Sequence, residues 1–324
     1  ALSRQCADHG ARLRVQFGRA GYLFMRGEFD LAQATLTGAA ELVQQSHDPM
    51  RRVQADWAMA NLQFHQGQLA AALALMDRCL ASYAALERRS AQVQDPAVMS
   101  LSYSALAQWS LGFADDARAR SQRALALAKQ LEHPLSLGEA QGLGAMLHCY
   151  QKDYLATLAC AERAIQVCEA SGFAVWLAHA RIMHGWAIAH LGRPQDGLAE
   201  IVAAYRLWTS TGAVVTCAFY LALQAQAQAL AGAPQQGLIL LQQAYATATQ
   251  HGERYFEPEL CRLQGELLIH PQHPDRLHNQ DQARDWFGRA LAVAQDLQMP
   301  AFARRAMHSL SELAPEPVAQ ATSS

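Results

Sequence analysis

Gly112-Phe-Ala-Asp-Asp-Ala117 is one of five stretches in which a glycine stands five residues before a small residue that opens a helical run. The others are Gly27-Glu-Phe-Asp-Leu-Ala32, Gly67-Gln-Leu-Ala-Ala-Ala72, Gly192-Arg-Pro-Gln-Asp-Gly197 and Gly232-Ala-Pro-Gln-Gln-Gly237. Lys152-Asp-Tyr-Leu-Ala-Thr157 and Asn279-Gln-Asp-Gln-Ala283 fit the frame less closely. The small anchors at 32, 72, 117, 157, 197, 237 and 283 are spaced by 40, 45, 40, 40, 40 and 46 residues. A fixed period of this size marks stacked units, none of which can bury its apolar face alone. The expected fold is therefore all-α and solenoidal, a shape that binds along an extended concave face.

Each part of the stretch has a physical reason. A helix that reverses within three or four residues ends on a positive φ, which glycine tolerates best. The small residue lets two antiparallel helices approach to about 8–10 Å. Helical spacing of Leu158, Ala161, Ile165 and Cys168 gives one buried stripe. Pro49, Pro96, Pro134 and Pro300 open first helices, where the missing N–H is harmless, and Asp48 and Asp95 precede two of them as N-caps.

The reading gives one superhelical domain over residues 1–314, with paired helices in seven units. These span 11–46, 50–88, 96–131, 134–171, 174–211, 214–251 and 256–298, followed by a capping helix at 300–313. Pro315-Glu-Pro317 ends it, and 315–324 is expected to be a disordered tail. The longer connectors, 87–95 and 270–279, are where a bend or specialised surface is expected.

The 324 residues carry 26 basic and 28 acidic side chains, for a net charge of −2, with no basic block to attract nucleic acid or anionic lipid. No apolar run approaches the ~18 residues that span a membrane. The opening Ala1-Leu-Ser-Arg-Gln-Cys6 lacks a secretion signal and an initiator Met, so an excised or processed chain is expected. The seven cysteines form no CxxC pair and read as reduced thiols of a cytoplasmic protein.

The units resemble tetratricopeptide repeats, on Ala105, Gly112, Ala117 and Ala124, and again on Gly185, Gly192, Gly197 and Ala204. The resemblance covers 11–298, with a period longer than that family's usual one. It implies a right-handed α-solenoid of about seven tetratricopeptide-like helix-turn-helix units with a C-terminal capping helix. A narrower resemblance runs through Gln94–Tyr103 with Trp109–Gly112, Gly172–Trp176 with Gly185-Trp186, and Gly252–Leu260 with Arg262–Glu266. These look like the C-terminal repeat region of bacterial STAND-type AAA+ ATPase signalling proteins, often fused to class III adenylate/guanylate cyclase domains. That implies a sensor or scaffold arm and carries no catalytic residue over. The chain has no G-x-x-x-x-G-K-[ST] phosphate loop.

In tetratricopeptide units the first helices line the groove. The resemblance thereby places Arg14, Phe17, Gln54, Trp57, Asn61, Ser102, Leu106, Trp109, Met146, His179, Trp186, His190, Gln226, Arg262 and Glu266 on or near it. Aromatics and arginine suit a ligand with apolar anchors, although each Trp can equally pack between units. His179, His184 and His190 lack the i,i+4 spacing of a helical metal pair. Ser110-Leu-Gly112 is no nucleophile elbow. No catalytic, metal or cofactor site is therefore expected. The expected partner is a protein, a peptide or a small effector, with no nucleic acid and no membrane. The alternatives are a purely structural or oligomerising solenoid and, less favoured, a helical-repeat enzyme.

Overall fold

The computed structural model describes residues 9–86 and 93–313. Within them are fifteen α-helices and no strands. Seven consecutive pairs are α1 (His9–Met25) with α2 (Phe29–Gln45), α3 (Met50–His65) with α4 (Leu69–Ala84), α5 (Pro96–Ser110) with α6 (Ala114–Gln130), α7 (Pro134–Gln151) with α8 (Tyr154–Ser171), α9 (Ala174–His190) with α10 (Pro194–Ser210), α11 (Cys217–Leu230) with α12 (Pro234–His251), and α13 (Glu257–Leu268) with α14 (Gln280–Asp296). A last helix, α15 (Pro300–Glu312), packs on α14 and α13. The anticipated tail at 315–324 and most of the 87–95 connector lie outside the described residues.

Six of the seven turns within pairs close by one device, and the longer connector between α13 and α14 does not. In the third pair Gly112 has φ +92°, its N–H donates to Trp109 O at 2.9 Å, and Phe113 N–H donates to Gln108 O at 2.8 Å. These two bonds satisfy carbonyls that the helix end would otherwise orphan. The fourth turn makes the same pair of bonds without glycine. Lys152 takes φ +58° there, and the Asp153 carboxylate caps α8 by accepting from Ala156 N at 3.0 Å. Behind the fifth turn α9 and α10 cross closely enough that a Cβ on Gly185 would meet Gly197 O at 2.7 Å. Only glycine fits that crossing.

First helices lie inside and second helices outside. In α5, fourteen of fifteen residues are buried, whereas α6 buries only Ala117, Ala124 and Ala128. Three of the four buried serines of α5 are satisfied within their own helix: Ser102, Ser104 and Ser110 donate to Val98 O, Leu101 O and Leu106 O at 2.9–3.0 Å, while Ser100 pairs with Cys79 Sγ of α4 at 3.2 Å.

The superhelix is wound tightly enough for its ends to rest on each other. Val214 N–H donates to Met25 O, and Arg254 N–H to His65 O, both at 2.8 Å. The Arg305 guanidinium donates to Tyr150 O, and Trp109 meets Phe302 edge-on at 5.3 Å. The turn ends of the first four pairs thus meet the connectors before α11 and α13 and the last helix, α15. No helix among the described residues is long and apolar enough to cross a membrane.

Candidate functional site

A large cavity of about 1050 Å³ opens in the interior towards the N-terminal pairs. Its near wall is the inner face of α1 and α3, carrying Arg14, Phe17, Gln54, Trp57 and Asn61. These lie at i, i+3 and at i, i+3, i+7, so one helical face presents each set. The far wall comes from a full superhelical turn away: Phe173, Val175 and Trp176 opening α9, Trp208 at the end of α10, and Val215-Thr216 before α11.

Aromatic rings stand on both walls, beside the charged side chains of Arg14, Asp48 and Arg51. Arg51 is held by Asp48 at 3.3 Å and donates to Gln54 Oε1 at 3.0 Å. Asn61 is half-buried, and its Oδ1 has no hydrogen-bond partner. At the floor, His65 Nδ1 and Thr216 N–H both bond Glu253 Oε1 at 2.8 Å. The His65 ring is enclosed by Phe24, Tyr255 and Phe64 at 5.0–5.5 Å. Trp57 lies against Tyr103, which also lines the space.

The other ten residues expected at the groove lie elsewhere. Ser102, Leu106, Met146, His179, Trp186 and Arg262 are buried, because the tight winding packs the inner faces of α5 to α13 into one another. His179 is a satisfied core residue: Nε2 donates to Gly142 O at 3.0 Å, Nδ1 pairs with Tyr220 Oη at 2.7 Å, and burial lowers its pKa to about 4 despite the Gly142 bond. Trp109 is nearly covered and borders a separate cleft of about 300 Å³ with Arg304, Arg305 and His308. Trp186 Nε1 donates to Gln226 Oε1 at 3.4 Å, and His190 stacks on Tyr154 at 4.5 Å. Glu266 and Arg262 belong to an ion network with Glu259 and Arg305. Burial raises the Glu259 pKa, but the two guanidiniums outweigh it and hold the carboxyl at about 2.

Sequence reasoning passed over Tyr103, Trp176, His65 and Gln94 as cavity residues. A signal was present in the narrower resemblance. Gln94 and Tyr103 come from one of its stretches, Phe173 and Trp176 from another, and the floor carboxylate Glu253 from the third. Two of these segments line the space, and the third holds its floor through the bonds of Glu253 to His65 and Thr216. Among the described residues no three His, Cys, Asp or Glu side chains converge as a metal would require.

No protein-family model matches the chain, and no curated protein sequence does. Solved structures do. A Rap protein complexed with competence and sporulation factor superposes with a TM-score of 0.62 at 10% identity, over 94% of this chain and 86% of that one. The Rap conjugation gene regulator of plasmid pLS20, in complex with the Phr* peptide, gives 0.56 at 8% identity, over 93% and 95%. NprR in complex with its cognate peptide NprX gives 0.55 at 15%, over 86% and 80%. At these identities the likeness is one of fold: the chain is an all-α, tetratricopeptide-like solenoid.

Proposed function

We propose that this chain is a non-catalytic binding domain that takes a short extended peptide into the interior cavity. The observation that carries the reading is the cavity itself. Its volume lies at the top of the ~300–1,000 Å³ range of ligand pockets, with aromatic walls and a few placed amides. An extended peptide offers N–H and C=O groups along both edges, and the half-buried amide of Asn61 stands at the wall to meet them. Trp57, Phe17 and Trp176 supply rigid apolar surfaces for side chains. The fold neighbours that hold the peptides NprX and Phr* support the class of ligand.

The test is titration of intrinsic tryptophan fluorescence with randomised hexapeptide mixtures. Saturable quenching is expected, and Asn61→Ala should weaken it about tenfold, a loss of ~1.4 kcal/mol. Unchanged affinity in both Asn61→Ala and Trp57→Ala would remove the cavity as the site.

In the intact protein we assign this domain the role of sensor arm in a cytoplasmic bacterial signalling ATPase or nucleotide cyclase. The three stretches resembling such proteins support that role. A ligand would bias the attached switch by its difference in affinity between two superhelical states, and by no more than that.

A further inference from the structure

Four carboxylates are buried among the described residues: Asp56, Glu139, Glu253 and Glu259. Three of them face a basic side chain. Asp56 takes both arms of Arg78 at 2.9 and 2.5 Å, Glu253 takes His65 at 2.8 Å, and Glu259 takes Arg262 at 2.8 Å and Arg305 at 3.2 Å. Glu139, on α7 and without exposed surface, has none. Its Oε1 accepts from Gln94 Nε2 at 2.7 Å, and its Oε2 has no hydrogen-bond partner.

A lone buried carboxylate is costly in its charged form. Burial pushes the Glu139 carboxyl up to about 8; the Gln94 amide and the nearby Trp176 indole only partly oppose this, and the Asp95 charge adds to it. The titratable groups that feel it are Asp95 and Tyr103 of the α5 segment and Cys168 of α8, and no cation is among them.

The partner of this carboxyl reaches the cavity. Gln94 is exposed and lines the cavity. So do Leu135, one turn before Glu139 on α7, and Trp176 on the facing α9. The Gln94 amide, with Trp176 beside it, links this acid to the space assigned to the ligand.

We propose that Glu139 anchors a cation subsite of the cavity, where an ammonium or guanidinium group of the bound peptide displaces the Gln94 amide and pairs with the carboxylate. The proposal rests on the cavity being the peptide site. Protonated Glu139 releases its proton to solvent as the cation arrives, so a neutral group and a cation become an ion pair. A guanidinium would engage Oε1 and the unpartnered Oε2 together.

The experiment uses the whole chain near pH 7 and two sets of hexapeptide mixtures, with one position fixed as arginine or as its neutral isostere citrulline. Calorimetry in two buffers of different ionisation enthalpy reads affinity and proton release. At one position the arginine mixture should bind at least tenfold tighter than citrulline and release a proton. Glu139→Gln should bring the two mixtures together and abolish the release. Gln94→Ala, which removes the competing amide, should widen the ratio, and it decides the matter if Glu139→Gln does not fold. No arginine preference at any position, a preference that survives Glu139→Gln, or a ratio unmoved by Gln94→Ala overturns the subsite while leaving the peptide site standing. Failure of every mixture to bind overturns the peptide site, and this proposal with it.

Discussion

Ala117 has no exposed surface and sits where α6 crosses α5. Leucine there has nowhere to go, because the small residue sets the distance between the two helices. Ala117→Leu is expected to destabilise by about 1–3 kcal/mol through overpacking. Urea denaturation measures it, and an unchanged midpoint would mean that the crossing lies elsewhere. This requirement was legible in the sequence because it is local: glycine, turn and small residue fall within six positions. Trp109, Trp186 and His179 were less legible. Their helical face was readable, but whether that face meets solvent or another helix depends on superhelical pitch, which no pattern within a unit encodes.

Among the elements, the inner helix α13 holds a buried ion network. It carries Glu259, Arg262 and Glu266, with Arg262 and Glu259 buried and Arg305 of α15 closing the group. Removing Arg262 leaves the buried Glu259 carboxylate with only the more distant Arg305. Arg262→Met is therefore expected to lose about 3–5 kcal/mol at neutral pH, as read by denaturant titration. The sign with pH follows from Glu259, whose carboxyl is held at about 2 in the folded chain, below the ordinary value of 4.5. Its contribution is fully present above pH 4.5 and fades as the pH falls towards 2, so the gap between Arg262→Met and the parent should narrow in acid. If the gap stays constant, the network is not what the substitution removed. The i,i+3 and i,i+4 spacing of this cluster could be read from the sequence, but its burial could not, since α15 supplies both the cover and the second guanidinium.

At the scale of the molecule, the far wall and floor of the cavity exist only because one superhelical turn lies on the next. Glu253 joins them, bonding His65, 188 positions away, and the Thr216 amide. Glu253→Gln is expected to speed hydrogen exchange together at Thr216, Val214 and Arg254, leaving the turn amides of Gly192 and Arg193 as they were. Uniform acceleration along the chain, or none, would deny Glu253 this role. Five of the cavity residues were readable from the first-helix face, whereas Trp176, Thr216 and the His65–Glu253 pair were not, because their partners come from the neighbouring turn. The stacking also alters how the chain must come apart. An open repeat array holds each unit by its neighbours alone, so it can fray from either end in small steps. Here the carbonyls of Met25, His65 and Tyr150 are bonded by residues from the opposite half of the chain. Neither end can loosen without freeing the other, so loop-closure entropy weighs on the folding of this solenoid as it does on a globular domain, and melting becomes a shared event.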